Sequence, residues 1–261
     1  MRVGFISDLH IDVNRGYGVK EAITQVCLED KIDRLYLAGD TYNSAQQTLA
    51  FEIYMGKVGV DTRSLFGNHE FYEVGNKFNE FRSAQYCFPD ILPGDIGVIG
   101  VTGWYDYSWA RLGSLGQLRK GKTPGGTWSD HRWIKYPEDV IGDSATWFLN
   151  ENVKELKDQS EWLDSLGIKR KIVMLHMVPH YSLLEQSPNY IYTNAFFGSQ
   201  VISDLVNEIA PEYCIYGHTH FAKDTRIGNT EYVCRPLGYY FEWGVDTAYD
   251  RIKNRMFVLE V

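Results

Sequence analysis

Short apolar runs alternate with amphipathic stretches from the first residues of this 261-residue chain, and that alternation restricts the fold more than any other feature. Strand-sized runs separated by helix-sized ones build β-α-β units, which call for at least one largely parallel sheet covered by helices. Residues 3–7 read as a buried strand, Val19, Ile23, Val26 and Cys27 recur at helical spacing, and residues 34–38 read as a second strand. The cycle repeats with a helix over 44–54, a strand over 62–66, a helix over 76–86 and a strand over 96–102. Further on, Asp143 or Ser144 is placed to cap a helix carrying Trp147, Phe148, Val153, Leu156 and Leu163. A strand over 171–175, a helix over 201–209, a strand over 213–216 and a hairpin of 223–227 with 231–235 about the turn Gly228-Asn229 complete the pattern. We read residues 1–261 as a single domain.

The stretch 104–137 breaks this rhythm and holds four of the seven tryptophans (Trp104, Trp109, Trp128, Trp133). Long irregular segments inside a compact domain are commonly functional or mobile, so it reads either as a lid or as an ordered packing loop. Within it, residues 111–135 set Arg111, Arg119, Lys120, Lys122, Arg132 and Lys135 against the single acid Asp130, whereas the chain as a whole carries 26 lysines and arginines against 34 acids, a net charge of −8. The reversal of sign suggests that this segment and its tryptophans border the substrate cleft. The overall negative charge repels polyanions, so long nucleic acid is not the expected partner, while the basic segment leaves short oligonucleotides as a second substrate class. No apolar run reaches the roughly 18–20 residues that span a bilayer. The first residues lack the features of a secretory leader, and Cys27, Cys87, Cys214 and Cys234 form no C-x-x-C pair. The expectation is a cytoplasmic protein with reduced thiols and no membrane contact.

The chemistry is concentrated directly after the buried strands. Asp8 and His10 follow the first, Asp40 the second, Gly67-Asn68-His69-Glu70 the third, His176 the strand at 171–175, and His218-Thr219-His220 the strand at 213–216. Ligands of open α/β sheets bind beyond the carboxyl ends of the strands, so these five loops are expected to converge. Imidazoles, carboxylates and an amide carbonyl together suit divalent transition metals better than Mg²⁺ or Ca²⁺. Seven candidate ligands exceed the needs of one ion; two ions roughly 3.5–4 Å apart, bridged by a carboxylate and a hydroxide, form the clamp used for in-line phosphoryl hydrolysis. Asp8 and His10, like His218 and His220, are two residues apart and would project to one side of an extended backbone. Taken singly, each has a mundane reading: a helix cap for Asp8, turns for Gly39-Asp40 and Gly67-Asn68, a core histidine for His176. The joint order, with every candidate at a strand end, has no such reading.

D-x-H, G-D, G-N-H-E, a strand-end histidine and G-H-x-H, in that order from Asp8 to His220, resemble the calcineurin-like metallophosphoesterase superfamily. The resemblance implies an α/β fold, a four-layer α/β/β/α sandwich of two mixed β-sheets, with a metal centre at one edge. It implies one ion held by Asp8, His10, Asp40 and His220 and a second held by Asp40, Asn68, His176 and His218, with Asp40 bridging. His69 would be catalytic, facing the substrate as general acid or as stabiliser of the phosphoryl oxygens. Many relatives have a carboxylate where this chain has Asn43. His180 and His131 are read as structural, because His176 is the histidine that directly ends its strand. The implied activity is hydrolysis of a small phosphate monoester or diester with two divalent ions (Mn, Fe or Zn). A nuclease on short oligonucleotides is the alternative, and a non-catalytic protein-binding scaffold is disfavoured because no ligand and no catalytic histidine has been lost.

Overall fold

Strands that carry apolar side chains on both faces must lie between two covering layers. In the computed structural model, which describes residues 1–73, 88–136 and 143–261, the central strands of both sheets are largely of this kind. The first half contains β1 (Arg2–Ile6), α1 (Val19–Glu29), β2 (Arg34–Ala38), α2 (Ala45–Lys57), β3 (Asp61–Leu65), β4 (Asp90–Leu92) and β5 (Ile96–Val101). Between the halves lie α3 (Leu115–Leu118), β6 (Lys122–Thr123), β7 (Gly126–Thr127) and α4 (Ser129–Trp133). The second half contains α5 (Ser144–Ser165), β8 (Arg170–Leu175), α6 (Gln200–Ile209), β9 (Tyr213–Tyr216), β10 (Lys223–Ile227), β11 (Thr230–Cys234), α7 (Ala248–Arg255) and β12 (Phe257–Glu260). The helix expected over 76–86 lies outside the described residues, as does Cys87; the other three cysteines are buried and free.

Two mixed sheets result. One has the order β12-β1-β2-β3, the other β10-β11-β9-β8-β5-β4. β1, β2 and β3 are mutually parallel, as are β5, β8, β9 and β11, whereas β12, β4 and β10 are antiparallel edge strands. The side-chain period of two sorts residues into layers. On β2, Tyr36 and Ala38 enter the core between the sheets while Leu35 and Leu37 meet the helices. On β8, Ile172 and Met174 turn inward and Val173 and Leu175 outward. α1, α2 and α7 cover the first sheet with Ile23, Val26, Phe51, Met55 and Ile252, and α5 and α6 cover the second with Phe148, Leu156, Leu163, Ile202 and Val206. This is the expected α/β/β/α sandwich. α7, β12 and β4 were not anticipated: β4 has three residues, and β12 is half-exposed on both faces, so neither leaves a clean apolar period.

Two links between the sheets position the site. At one end Arg34 of β2 pairs with Asp90 of β4 at 2.6 Å and with Asp61 at 2.7 Å. At the other, the chain leaving β11 crosses to β1: Ser7 N donates to Arg235 O (3.0 Å), Leu237 N to Ser7 O (2.9 Å) and Gly238 N to Asp8 O (3.1 Å). This strap lies over the carboxyl end of β1. Among the described residues no helix is long and apolar enough to cross a membrane.

α5 starts at Asp143, whose carboxylate accepts from Thr146 N at 3.2 Å, which decides between the two expected caps. Its buried amides also finish the sheet. Gln159 bonds both the N–H and the C=O of Gly100, at 2.8 and 3.2 Å, and Asn152 Oδ1 accepts from Gly103 N and Trp104 N, each at 3.0 Å. Asn152→Ala would strand two buried N–H groups at roughly 1–3 kcal/mol each. Urea denaturation should therefore show a loss of about 2–6 kcal/mol with an unchanged m value.

Candidate metal centre

The carboxyl ends of β1, β2, β3, β8 and β9 point to one edge, and the loops there leave the extended backbone expected for Asp-x-His and His-x-His. Asp8, His10, Asp40, His218 and His220 all have positive φ, at 55°, 43°, 54°, 71° and 56°. Left-handed backbone costs an L-residue roughly 1–2 kcal/mol, so five such residues in one place need external support. Neighbouring loops provide it: Asp8 N donates to Gly39 O (3.0 Å) and His10 N to Asp40 O (2.9 Å). Gly67 allows the closest approach, because a Cβ there would lie 2.7 Å from Asp40 N and 2.8 Å from His176 Cδ2.

The turns converge as the sequence order suggested. Asp8, His10 and His220 form one group of candidate ligand atoms within 4.8 Å of one another, and Asp40, His176 and His218 form a second. His10 Nε2 faces His220 Nε2 at 3.0 Å, and Asp8 Oδ1 lies 3.5 Å from the same nitrogen. In the second group His176 Nε2 is 3.1 Å from Asn68 Oδ1, 3.2 Å from Asp40 Oδ2 and 3.3 Å from His218 Nδ1. Asp40 Oδ2 is also 3.9 Å from His10 Nε2, which places this oxygen between the groups. His69 joins from the solvent side: its Nε2 is 3.7 Å from Asp40 Oδ2, and with His10 and Asp40 it forms a third group. Thus all seven expected ligands and His69 are brought together. His180 lies apart from them and accepts from Ser182 N at 3.2 Å, and His131 packs against Tyr107 and Phe196, so both do structural work.

The outer atoms of the histidines are held so that the inner ones face the cluster. His176 Nδ1 donates to Ala38 O at 2.9 Å, His69 Nδ1 to Asn43 Oδ1 at 2.6 Å and His220 Nδ1 to Glu242 Oε2 at 2.9 Å. Such outer acceptors fix the tautomer and leave Nε2 free to ligate. Asn43 keeps this orienting role without a carboxylate's charge. The Asn68 amide is fixed the same way: its Nδ2 donates to Asp130 (2.8 Å) and Tyr72 (2.9 Å), which turns Oδ1 toward His176. Asp130 is fully buried and accepts from Tyr72 and Trp128 as well.

Electrostatically the pocket is assembled for cations. Burial alone would raise Asp8, but the hydrogen bond and charge of His220 hold it at about 2. Burial opposes ionisation of Asp40 too, and His176 and His69 hold it well below the usual carboxylate range. His176 rises to about 9 and His220 to about 10, because Asp40 in one case and Asp8 with Glu242 in the other outweigh burial. His10 falls well below its ordinary value through burial and His69, and His218 falls to about 3 through burial and His176. Paired nitrogens and carboxylate oxygens facing one another at 3.0–3.5 Å, with His218 Nε2 and His10 Nδ1 buried and unpartnered, make a donor set that fits divalent cations.

A cavity of about 720 Å³ opens over this cluster. Trp128 and Ser129 of the 104–137 segment line it, but none of that segment's six cations does, which corrects the expectation that the basic residues border the cleft. Trp104 and Trp109 are buried in the core instead. The cations in the wall are Arg251 and Arg255 of α7, joined by Tyr239 and Glu242. Tyr239 packs on both His10 and His220, with ring centroids 4.5 and 4.6 Å away. Sequence reasoning missed Asp130, Tyr239, Glu242 and the two arginines, since no local motif marks them.

A model of the calcineurin-like phosphoesterases matches residues 1–222, which contain every candidate ligand. The chain belongs to that family. The calcineurin-like phosphoesterases hydrolyse phosphoesters with the help of metal, and the two His/Asp groups are where this phosphoesterase would bind divalent ions. Comparison with functionally curated proteins gives no match. Among solved structures the phosphopantetheinyl hydrolase of Mycobacterium tuberculosis is similar with a TM-score of 0.77 and 15% identity, over 98% of this chain and 95% of that one. The protein TT1561 of Thermus thermophilus gives 0.55 at 14% identity, over 99% and 98% of the two chains. A dimetal phosphatase from Danio rerio gives 0.52 at 14% identity, over 90% and 86%. At these identities the likeness is one of fold.

Glu70 ties the site together: its buried carboxylate accepts from Asp40 N (3.0 Å), Thr41 N (2.7 Å), Tyr42 N (3.3 Å), Gly67 N (2.8 Å) and Thr48 Oγ1 (3.0 Å). Glu70→Ala would leave these donors stranded and should cost at least about 3 kcal/mol. Calorimetric unfolding should show a correspondingly lower Tm; a variant as stable as the parent would mean that water replaces the carboxylate.

Proposed function

We propose that this phosphoesterase hydrolyses a small phosphate ester, monoester or diester, at a centre of two divalent transition-metal ions, Mn, Fe or Zn, within one domain. The observation that carries the reading is the position of Asp40 Oδ2 between the two ligand groups. Asp8, His10, Asp40 and His220 would hold one ion, and Asp40, Asn68, His176 and His218 the other. When bound, the ions supply a bridging hydroxide at neutral pH and a clamp on the phosphoryl oxygens. The chain's own groups complete the step. Asn68, whose two N–H groups are taken by Asp130 and Tyr72, serves as a ligand only, and His69 stabilises the charge that develops on the non-bridging oxygens. His69, oriented through Nδ1 by Asn43, presents Nε2 to the leaving oxygen and protonates it. Trp128, Phe197 and Tyr239 narrow the cavity around the ester and exclude bulk water.

Metal titration tests the centre. Elemental analysis of the reconstituted protein should give close to two ions per chain, and Asp40→Ala should lose both ions and turnover. His176 and His220 hold protons at pH 7 in the metal-free protein, because their neighbours raise them to about 9 and about 10. A ligating imidazole must be neutral, so loading releases protons and affinity rises with pH between about 6 and 9. Calorimetry in buffers of different ionisation enthalpy reads that release directly, and pH-independent affinity would mean that the two imidazoles are already neutral before loading.

Kinetics test His69. A positioned proton donor contributes about 10² to 10⁴-fold when the leaving group is poor. His69→Ala should slow hydrolysis of an alkyl phosphoester far more than that of a nitrophenyl ester, at unchanged metal content. Equal losses on both esters would assign His69 to the phosphoryl oxygens alone.

A further inference from the structure

The wall of the cavity carries positive charge that the metal-centre chemistry does not use. Arg251 and Arg255 are four residues apart on α7, hence on one face of the helix, and both line the same cavity as Asp40, Asn68 and His69. Neither is neutralised by close pairing. Arg251 Nη1 stands 3.8 Å from Asp246 Oδ2, and its buried Nε has no hydrogen-bond partner. Arg255 makes no hydrogen bond or ion pair among the described residues, and its proton is held less tightly than usual because of burial and the charges of Arg251 and Arg235. Arg235, the third cation nearby, is already paired with Asp224. Glu242, the acid in the cavity wall, is engaged by His220 Nδ1 and Tyr239 N. Two guanidinium groups one helical turn apart therefore line a cleft in a chain of net charge −8. Like charges held together in a partly dry wall are relieved when an anion sits between them, and the planar guanidinium fork matches carboxylate and phosphate oxygens.

We infer that Arg251 and Arg255 bind a second oxyanionic group of the substrate, so that the preferred substrates are phosphoesters that also carry a distant phosphate or carboxylate. The inference rests on the reading above for where the scissile phosphoryl group sits. It assigns substrate selection to the C-terminal helix, beyond the residues 1–222 that the family shares. The aromatic residues of the same cavity, Trp128, Phe221 and Tyr239 among them, would contact the part of the substrate that joins its two anionic groups.

Non-hydrolysable probes test this without turnover. Metal-loaded protein is titrated calorimetrically with alkylphosphonates of increasing chain length, and with the matching α,ω-bisphosphonates and ω-carboxyalkylphosphonates. At one chain length or more, a doubly anionic probe should bind at least about tenfold more tightly than its methyl-ended counterpart, the increment expected of charge-assisted pairing in a partly buried site. The bisphosphonate and carboxylate arms identify which oxyanion is preferred, and tighter binding of either supports the inference. In Arg251→Gln/Arg255→Gln the ratio should fall to within about twofold of unity. Should circular dichroism show that this variant does not fold, Arg255→Gln alone serves, with a loss of about threefold or more in the ratio. A ratio near unity in the unaltered protein at every chain length, or a high ratio that survives the substitutions, would overturn the inference. Turnover of nitrophenyl phosphate and of bis(nitrophenyl) phosphate is measured separately; absence of both beside an intact binding ratio would remove the hydrolytic reading and leave the anion site standing.

Discussion

The buried carboxylate of Glu70 is the interaction on which the site depends. Five donors from the turns after β2 and β3 and from α2 close on it, so two loops that would otherwise be independent become one rigid piece. Asp40 sits on that piece in left-handed backbone, and its Oδ1 accepts from His69 N at 3.0 Å while Oδ2 faces the histidines. Burial and the charge of Asp40 push Glu70 up to about 7, against the pull of the N–H donors around it. Every one of its contacts is a donor, which is the environment an ionised acceptor requires.

The cost of such a cluster explains its surroundings. Asp8 and His176 are completely buried and Asp40 is 2% exposed, so their charges have almost no water to stabilise them. Protein groups take that place: Asp8 accepts from His218 N at 3.0 Å, and Ala38, Asn43 and Glu242 hold the outer nitrogens of three histidines. What remains unbalanced is the inward face, where histidines at raised and lowered pKa alternate around two carboxylates. That imbalance is removed when cations replace the protons.

Chain closure gives the cleft its asymmetry. The strap from Arg235 to Tyr239 bonds to the end of β1 and carries Tyr239 onto His10 and His220, and α7 then brings its arginines into the cavity wall. The cleft is thus lined both by the shared phosphoesterase framework and by elements that follow it. The 104–137 segment contributes less by its charge than by Trp128 and by Asp130, whose buried carboxylate orients the amide of Asn68.

The β-α-β order with its parallel strands and the location of the cluster could be read from the amino-acid order, because both follow from local patterns, whereas the two-sheet, four-layer arrangement came from the family resemblance. Period-two burial on β2 and β8 and helical spacing in α1 and α5 are set by residues close in the chain. Asp8, Asp40, Asn68, His176 and His218 are legible because each directly ends or shortly follows a strand whose direction the β-α-β order fixes. The left-handed turns were not legible: nothing in Asp-x-His distinguishes extended from left-handed backbone until Gly39 O and Asp40 O are in place to receive the amides of Asp8 and His10. Nor were Tyr239, Glu242, Arg251 and Arg255, which reach the cleft only because β12 pairs with β1 and the strap crosses between sheets. Contacts across more than two hundred residues of chain depend on how the sheets close, and no local pattern of side chains encodes that closure.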